Sequence, residues 1–73
     1  MTLADAPLER GALVASVDVE PALARRLAEL GIRGGEVVTP LHRTTGGGRV
    51  LAVGDTRLAL AGSVLRRIEV AEP

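Results

Sequence analysis

The sequence lacks several kinds of residue that particular functions need. Its 73 residues include no cysteine, no lysine and no phenylalanine, tyrosine or tryptophan. The absence of cysteine excludes disulfides, thiolate metal ligands and cysteine nucleophiles. The absence of aromatic rings removes the surfaces on which single-stranded nucleic acids stack and the grooves that bind proline-rich peptides. The core must therefore consist of leucine, valine, isoleucine and alanine.

Charge is also balanced, because nine basic and nine acidic residues cancel. No strong field therefore attracts nucleic acid or an anionic membrane. The first ten residues carry Asp5 and Glu9 and contain no apolar signal region, and no run approaches the roughly 20 apolar residues that span a bilayer. We expect a cytoplasmic protein without direct membrane insertion and without a nucleic-acid partner.

The hydrophobic pattern predicts five short strands. The first covers 11–19 and alternates, with Leu13, Ala15, Val17 and Val19 on the core side. The others are expected over 36–43, 49–53, 56–60 and 68–70. Pro40 favours an edge position or a bulge in the second strand, and Gly54-Asp55 is typical of a two-residue hairpin turn.

One helix is predicted between the first two strands. Pro21 suits its first turn, and Leu23, Leu27 and Leu30 follow at helical spacing. With Leu30 as the last helical residue, Gly31 becomes the left-handed residue after it, and Ile32 completes a Schellman motif with Leu27. A further helical turn is expected within 61–67, started by Ser63.

These elements predict a single mainly β domain over 1–73, with its core at about 8–71 and with Leu3 and Leu8 available to cover the edge of the core. Five short strands with tight turns and one short α-helix after the first strand are typical of a small SH3-like or OB-like barrel.

The glycines of GIRGG, residues 31–35, raise the question of a ligand-binding loop. A Walker loop needs a lysine, and a dinucleotide loop needs a helix after its glycines. Here the glycines follow a helix and precede a strand. GIRG also matches the GXXG string of KH domains, but that loop joins two helices. The pattern favours a helix stop followed by a turn into a strand.

The order of several short motifs over about residues 8–71 resembles the FeoA family, the ferrous-iron transport A proteins. The residues that fit the family pattern, in order, are Gly11, Arg26, Leu27, Leu30, Gly31, Ile32, Gly35, Val53, Gly54, Leu58, Ala59, Leu60, Ile68 and Val70. Two positions depart from it: Gly34 stands where the family often has proline, and Ala61 where it often has arginine.

The resemblance implies a small SH3-like barrel in the cytoplasm that acts as an accessory or regulatory protein of ferrous-iron uptake. Its implied partner is the cytosolic domain of the GTP-hydrolysing ferrous-iron permease. An alternative is a stand-alone metal-sensing module related to the SH3-like C-terminal domain of iron-dependent repressors. Neither implies an enzyme.

Catalytic and metal-binding residues are sparse. The single histidine, His42, has no carboxylate beside it and no serine motif resembles a nucleophile elbow, so we predict no catalytic residue. Ferrous iron needs several converging imidazole or carboxylate ligands. We predict no cofactor and no dedicated metal site. The alternative is divalent iron, or another transition metal, held by Glu29, Glu36 and His42 across the helix–strand junction.

The remaining hypothesis is contact with another protein. The predicted surface surrounds the helix end and comprises Arg25, Arg26, Leu30, Arg33, Gly34 and Gly35. The expected structural turn residues are Gly31, Gly54 and Asp55. A second glycine-rich segment, residues 44–48, is expected to be a flexible loop, which we call the glycine loop, and it is flanked by Arg43 and Arg49. The strand 36–43 is a second candidate, as an edge strand that a partner could extend. Weak self-association is a third possibility, since small barrels have exposed edges.

Overall fold

The computed structural model describes all residues from Met1 to Pro73. It contains five strands: β1 (Ala12–Val17), β2 (Val37–Arg43), β3 (Arg49–Val53), β4 (Thr56–Leu60) and β5 (Ile68–Ala71). The helix α1 (Pro21–Glu29) follows β1, and the single turn α2 (Gly62–Leu65) precedes β5. The predicted mainly β architecture, with its short helix after the first strand, is confirmed.

The strands form one antiparallel sheet in the order β4-β3-β2-β1-β5. This hydrogen-bonded order has two ends, β4 and β5, so the sheet is curved around a core but is not a closed ring of strands. The strand β2 lies between β1 and β3. The prediction that strand 36–43 offers a free edge is therefore wrong, whereas the bulge expected near Pro40 lies between Pro40 and His42.

The core is one cluster of buried aliphatic side chains, to which the helix α1 and several strands contribute. Leu27 of α1, Val38 of β2, Leu51 of β3 and Ile68 of β5 are all at most 2% exposed. The core also reaches further toward the N-terminus than residue 8, because Leu3 and Ala6 belong to the same buried cluster.

The orientation predicted for β1 is wrong in its first half. Ala12 and Val14 are buried, while Ala15 and Ser16 are exposed. The pairing with β5 shifts between Val14 and Ser16, so a bulge at Ala15 interrupts the alternation on which the prediction depended. Local alternation cannot reveal such an inserted residue, because the bulge belongs to the pairing of two distant strands.

The start of α2 also differs from the prediction. The helical turn begins at Gly62, and Ala61 rather than Ser63 occupies the N-cap without a side-chain hydrogen bond. Gly62 is buried, and a Cβ atom there would lie 2.8 Å from the carbonyl oxygen of Gly47. Close approach to Gly47 of the glycine loop therefore leaves room only for glycine at the first residue of this turn. That loop itself contains a 3-10 turn over Thr45–Gly47.

Candidate functional site

The end of α1 is built as a complete Schellman motif. The Ile32 N–H donates to the Leu27 carbonyl at 2.8 Å, and the Gly31 N–H donates to the Ala28 carbonyl at 3.0 Å. Gly31 has a φ of +103°, a backbone conformation that costs energy for residues other than glycine. Ile32 is fully buried. Local residue chemistry therefore sets both where the helix ends and the direction in which the chain leaves it.

The turn after the helix is held against β1. The Gly35 N–H donates to the Val14 carbonyl at 2.9 Å, and the Val14 N–H donates to the Glu36 carbonyl at 2.9 Å. Gly35 is exposed with a φ of +91°. The GIRGG turn is therefore exposed over residues 33–35 and has its backbone fixed on both sides, which is the usual setting for a binding loop.

The predicted partner residues occupy the second half of α1, its C-cap and the turn after it, and we call them the helix-exit surface: Arg25, Arg26, Leu30, Arg33, Gly34 and Gly35. All six are exposed. Arg25 and Arg26 form no ion pair in the chain. Arg33 differs from them, because its Nη1 donates to the Ala28 carbonyl at 3.3 Å and its Nη2 lies 3.7 Å from Oε2 of Glu36. Arg33 thus stabilises the carbonyl end of the helix.

Two exposed aliphatic side chains flank the turn. Leu30 is 43% exposed at its start, and Val37 is 48% exposed just after it. Val37 was not among the predicted site residues. Strand alternation indicates that only one of the adjacent Val37 and Val38 faces the core, but no local signal shows which one. The surface therefore combines free guanidinium groups with a little apolar area.

The three residues considered for a metal site are not brought together. No group of three or more histidine, aspartate or glutamate side chains in the structure is close enough to hold a metal ion. Glu36 faces Arg33, and the exposed His42 has Nδ1 3.4 Å from the Arg43 carbonyl oxygen. Within one copy of the chain, these residues do not fit a metal centre.

Arg49 is not the surface residue that its place beside the glycine loop predicted. It is 5% exposed, and its Nη1 donates to the Ala6 carbonyl at 2.6 Å. The reason is the period of two in β3, where Arg49, Leu51 and Val53 all point into the core. Arg49 therefore attaches the N-terminal segment to the sheet, while Arg43 remains exposed.

The structure also shows the positions of the predicted hairpin turn and of the two residues that depart from the family pattern, Gly34 and Ala61. Gly54, with a φ of +57°, and the exposed Asp55 make the two-residue turn between β3 and β4. A Cβ atom at Gly34 would lie 3.5 Å from the Ala15 carbonyl oxygen, so this position accommodates a larger residue. Ala61 is the exposed N-cap of α2.

The five antiparallel strands and the short helix after the first strand define the class of small SH3-like domains. The family model described as the FeoA domain matches residues 1–72. The chain therefore belongs to the FeoA family.

Solved structures of FeoA proteins agree with this assignment. FeoA of Stenotrophomonas maltophilia, determined as a zinc complex, is 42% identical, with 97% of this chain and 89% of that chain covered and a TM-score of 0.80. It is described as a prokaryotic SH3 domain protein and a candidate activating factor of bacterial ferrous iron transport. FeoA of Chlorobium tepidum is 28% identical, with 96% and 68% of the two chains covered and a TM-score of 0.87.

A more distant likeness shows the fold alone. ScaR with bound Zn²⁺ is 22% identical, with all of this chain and 37% of that chain covered and a TM-score of 0.82. No curated protein matches the chain at a significant level. None of the helices has the length and apolar character needed to cross a membrane.

Proposed function

We propose that this protein is a cytoplasmic accessory protein of ferrous-iron uptake that binds the cytosolic domain of the GTP-hydrolysing iron permease. Membership of the FeoA family carries the proposal, and the relative from Stenotrophomonas maltophilia, described as a candidate transport activating factor, supports it. The protein acts through non-covalent contact and not through catalysis.

The helix-exit surface is the docking site in this proposal. Arg25 and Arg26 offer two guanidinium groups that no carboxylate of the chain occupies, and arginine is among the residues that contribute most at interfaces. The fixed GIRGG turn beside them loses little conformational freedom on binding. An acidic and partly apolar patch on the permease domain is the complementary surface.

Regulation requires that the two nucleotide states of the permease bind the protein with different affinity. A ligand shifts an equilibrium between two conformations only by its difference in affinity for them. The protein therefore favours one nucleotide state over the other. If the affinity is the same in both states, the regulatory part of the proposal is wrong, even where binding itself occurs.

The test is an amide NMR titration of the labelled protein with the permease's cytosolic domain, prepared with GDP and with a non-hydrolysable GTP analogue. We expect resonances between Arg25 and Val37 to shift. Arg26→Glu should weaken binding about tenfold or more, whereas Arg66→Glu, at a matched exposed arginine that caps the end of α2, should leave it nearly unchanged. Equal losses for both variants would contradict docking at the helix exit.

Direct binding of a transition metal is the competing proposal, and the zinc complex of the relative from Stenotrophomonas maltophilia favours it. The scattered carboxylates and the exposed His42 weigh against it. Anaerobic titration with ferrous iron, and separately with zinc, distinguishes the two. Stoichiometric shifts at His42 that are lost in His42→Ala would support a metal-binding regulator, while equal metal binding by parent and variant would count against that role for His42.

A further inference from the structure

The strand β4 ends the sheet with backbone groups that nothing in the chain uses. The two-residue turn pairs Val53 with Thr56, and the register continues without interruption to Arg49 and Leu60. In such a hairpin the closing pair is hydrogen-bonded, and bonded pairs then alternate with non-bonded ones. The N–H and C=O groups of Arg57 and Ala59 therefore point away from β3. No hydrogen bond from a loop, turn or side chain reaches them.

This open edge lacks the features that usually prevent a strand from pairing with another chain. It contains no proline and no bulge, and no segment of the protein covers it. Its single charged residue is Arg57. The opposite end of the sheet is covered, because the residues Met1–Leu3 form hydrogen bonds along the outer side of β5.

The side chains of β4 indicate what kind of strand would fit beside it. Leu58 and Leu60 are half-buried on the core side, whereas Arg57 and Ala59 are exposed on the other. Arg57 forms no ion pair in the chain. An added strand would therefore be most stable with an acidic residue opposite Arg57 and apolar residues beside the two leucines.

A second copy of the chain fits this edge less well. Antiparallel pairing of two β4 strands that uses all the free groups is centred on Leu58. Arg57 of each copy would then lie diagonal to Arg57 of the other, about 7–8 Å apart across the strands. Like charges at that distance oppose pairing, so the edge favours a different, acidic partner.

We propose that an extended, acidic and apolar segment of the permease's cytosolic domain adds to the free edge of β4 as a sixth strand. The inference rests on the proposed function and specifies its binding mode. Main-chain hydrogen bonds to Arg57 and Ala59 supply the attachment, and the side chains beside Arg57 and Leu58 supply the selectivity.

The test compares Ala59→Pro with Ala59→Thr in titrations with the permease's cytosolic domain. Proline at this position removes only an outward N–H, so the fold is retained and the amide spectrum verifies it. We expect Ala59→Pro to weaken binding about tenfold or more and Ala59→Thr to change it less than about threefold. In the parent complex, hydrogen exchange of the Arg57 and Ala59 amides should also slow markedly, a readout that needs no substitution.

Three other results would overturn the inference, and they differ in what they leave standing. If the domain binds the parent and Ala59→Pro equally, and the two amides exchange as before, strand addition is wrong while the proposed function stands. If the domain does not bind the parent at millimolar concentration, the proposed function itself fails. If the Arg57 and Ala59 resonances move with the protein's own concentration, a second copy occupies the edge.

Discussion

The two ends of the sheet, β5 and β4, have opposite surroundings. The Leu3 N–H donates to the Ile68 carbonyl at 3.0 Å, and the Val70 N–H donates to the Met1 carbonyl at 2.8 Å, so the first residues cover β5. No segment covers β4. The N-terminal segment is therefore structural, since it closes one edge and part of the core, whereas the outer edge of β4 has no covering segment in the chain.

The covering segment should contribute far more to stability than the open edge does. Leu3 is fully buried and belongs to the core cluster, whereas Leu58 of β4 is half-buried. We expect Leu3→Ala to lower the free energy of unfolding by about 2–4 kcal/mol and Leu58→Ala by about 1 kcal/mol. Urea unfolding of both variants measures this. If Leu3→Ala lowered the free energy of unfolding no more than Leu58→Ala does, the first residues would not belong to the cooperative fold.

Arg49, which binds the N-terminal segment, and Arg57, on the open edge, are a second pair for comparison. Arg49→Met leaves the buried Ala6 carbonyl without its donor, and we expect a loss of about 1–3 kcal/mol. Arg57→Met on the open edge should stay within about 0.5 kcal/mol of the parent. The same unfolding measurement applies. If Arg49→Met left the free energy of unfolding unchanged, the hydrogen bond to Ala6 would not hold the N-terminal segment in place.

The contact between the helix exit and the β3–β4 hairpin can be tested with two glycines. Gly31 and Gly35 both have positive φ, but only at Gly31 would a Cβ atom meet a neighbour, Val53. We expect Gly35→Ala to cost about 1 kcal/mol, the backbone effect alone, and Gly31→Ala about 2 kcal/mol. Thermal unfolding distinguishes them. If both variants lowered Tm equally, the β3–β4 hairpin would move away from the added methyl group at position 31 without loss of stability.

The smallest effect belongs to the ion pair at the covered edge. The Met1 ammonium lies 3.3 Å from Oε2 of Glu69, and both groups are substantially exposed. Glu69→Gln should cost between 0 and about 1 kcal/mol in low salt and less in high salt, because water and ions screen such pairs. Urea unfolding at two salt concentrations checks this, with Glu72→Gln as the control. A loss that does not depend on salt would indicate a contact other than the charge pair.

Several elements could be predicted because their causes are local. The bounds of β3 and β4 match the prediction, and α1 ends at Glu29 with Leu30 as its C-cap, followed by Gly31 and the expected hydrogen bonds. A hairpin turn and a Schellman motif are each decided by a few adjacent residues. The residues of the helix-exit surface lie on and beside the second of these motifs, and their role in binding stays a prediction.

Other features could not be predicted because distant parts of the chain decide them. The bulge at Ala15 arises from pairing with β5, the need for glycine at position 62 from the approach of Gly47, and the hydrogen bond of the buried Arg49 from the distant carbonyl of Ala6. A local pattern that places an arginine beside a glycine loop normally indicates the surface. Here the register of β3 overrides it.

Hydrophobic period and turn chemistry act over two to four residues, and they are sufficient to place the five strands, the helix α1 and the hairpin turn in the chain. The strand order, and with it which edge is covered and which is free, is set only when the segments pack together. Pairing at an edge depends on where chain segments meet after folding, and no short run of residues contains that information.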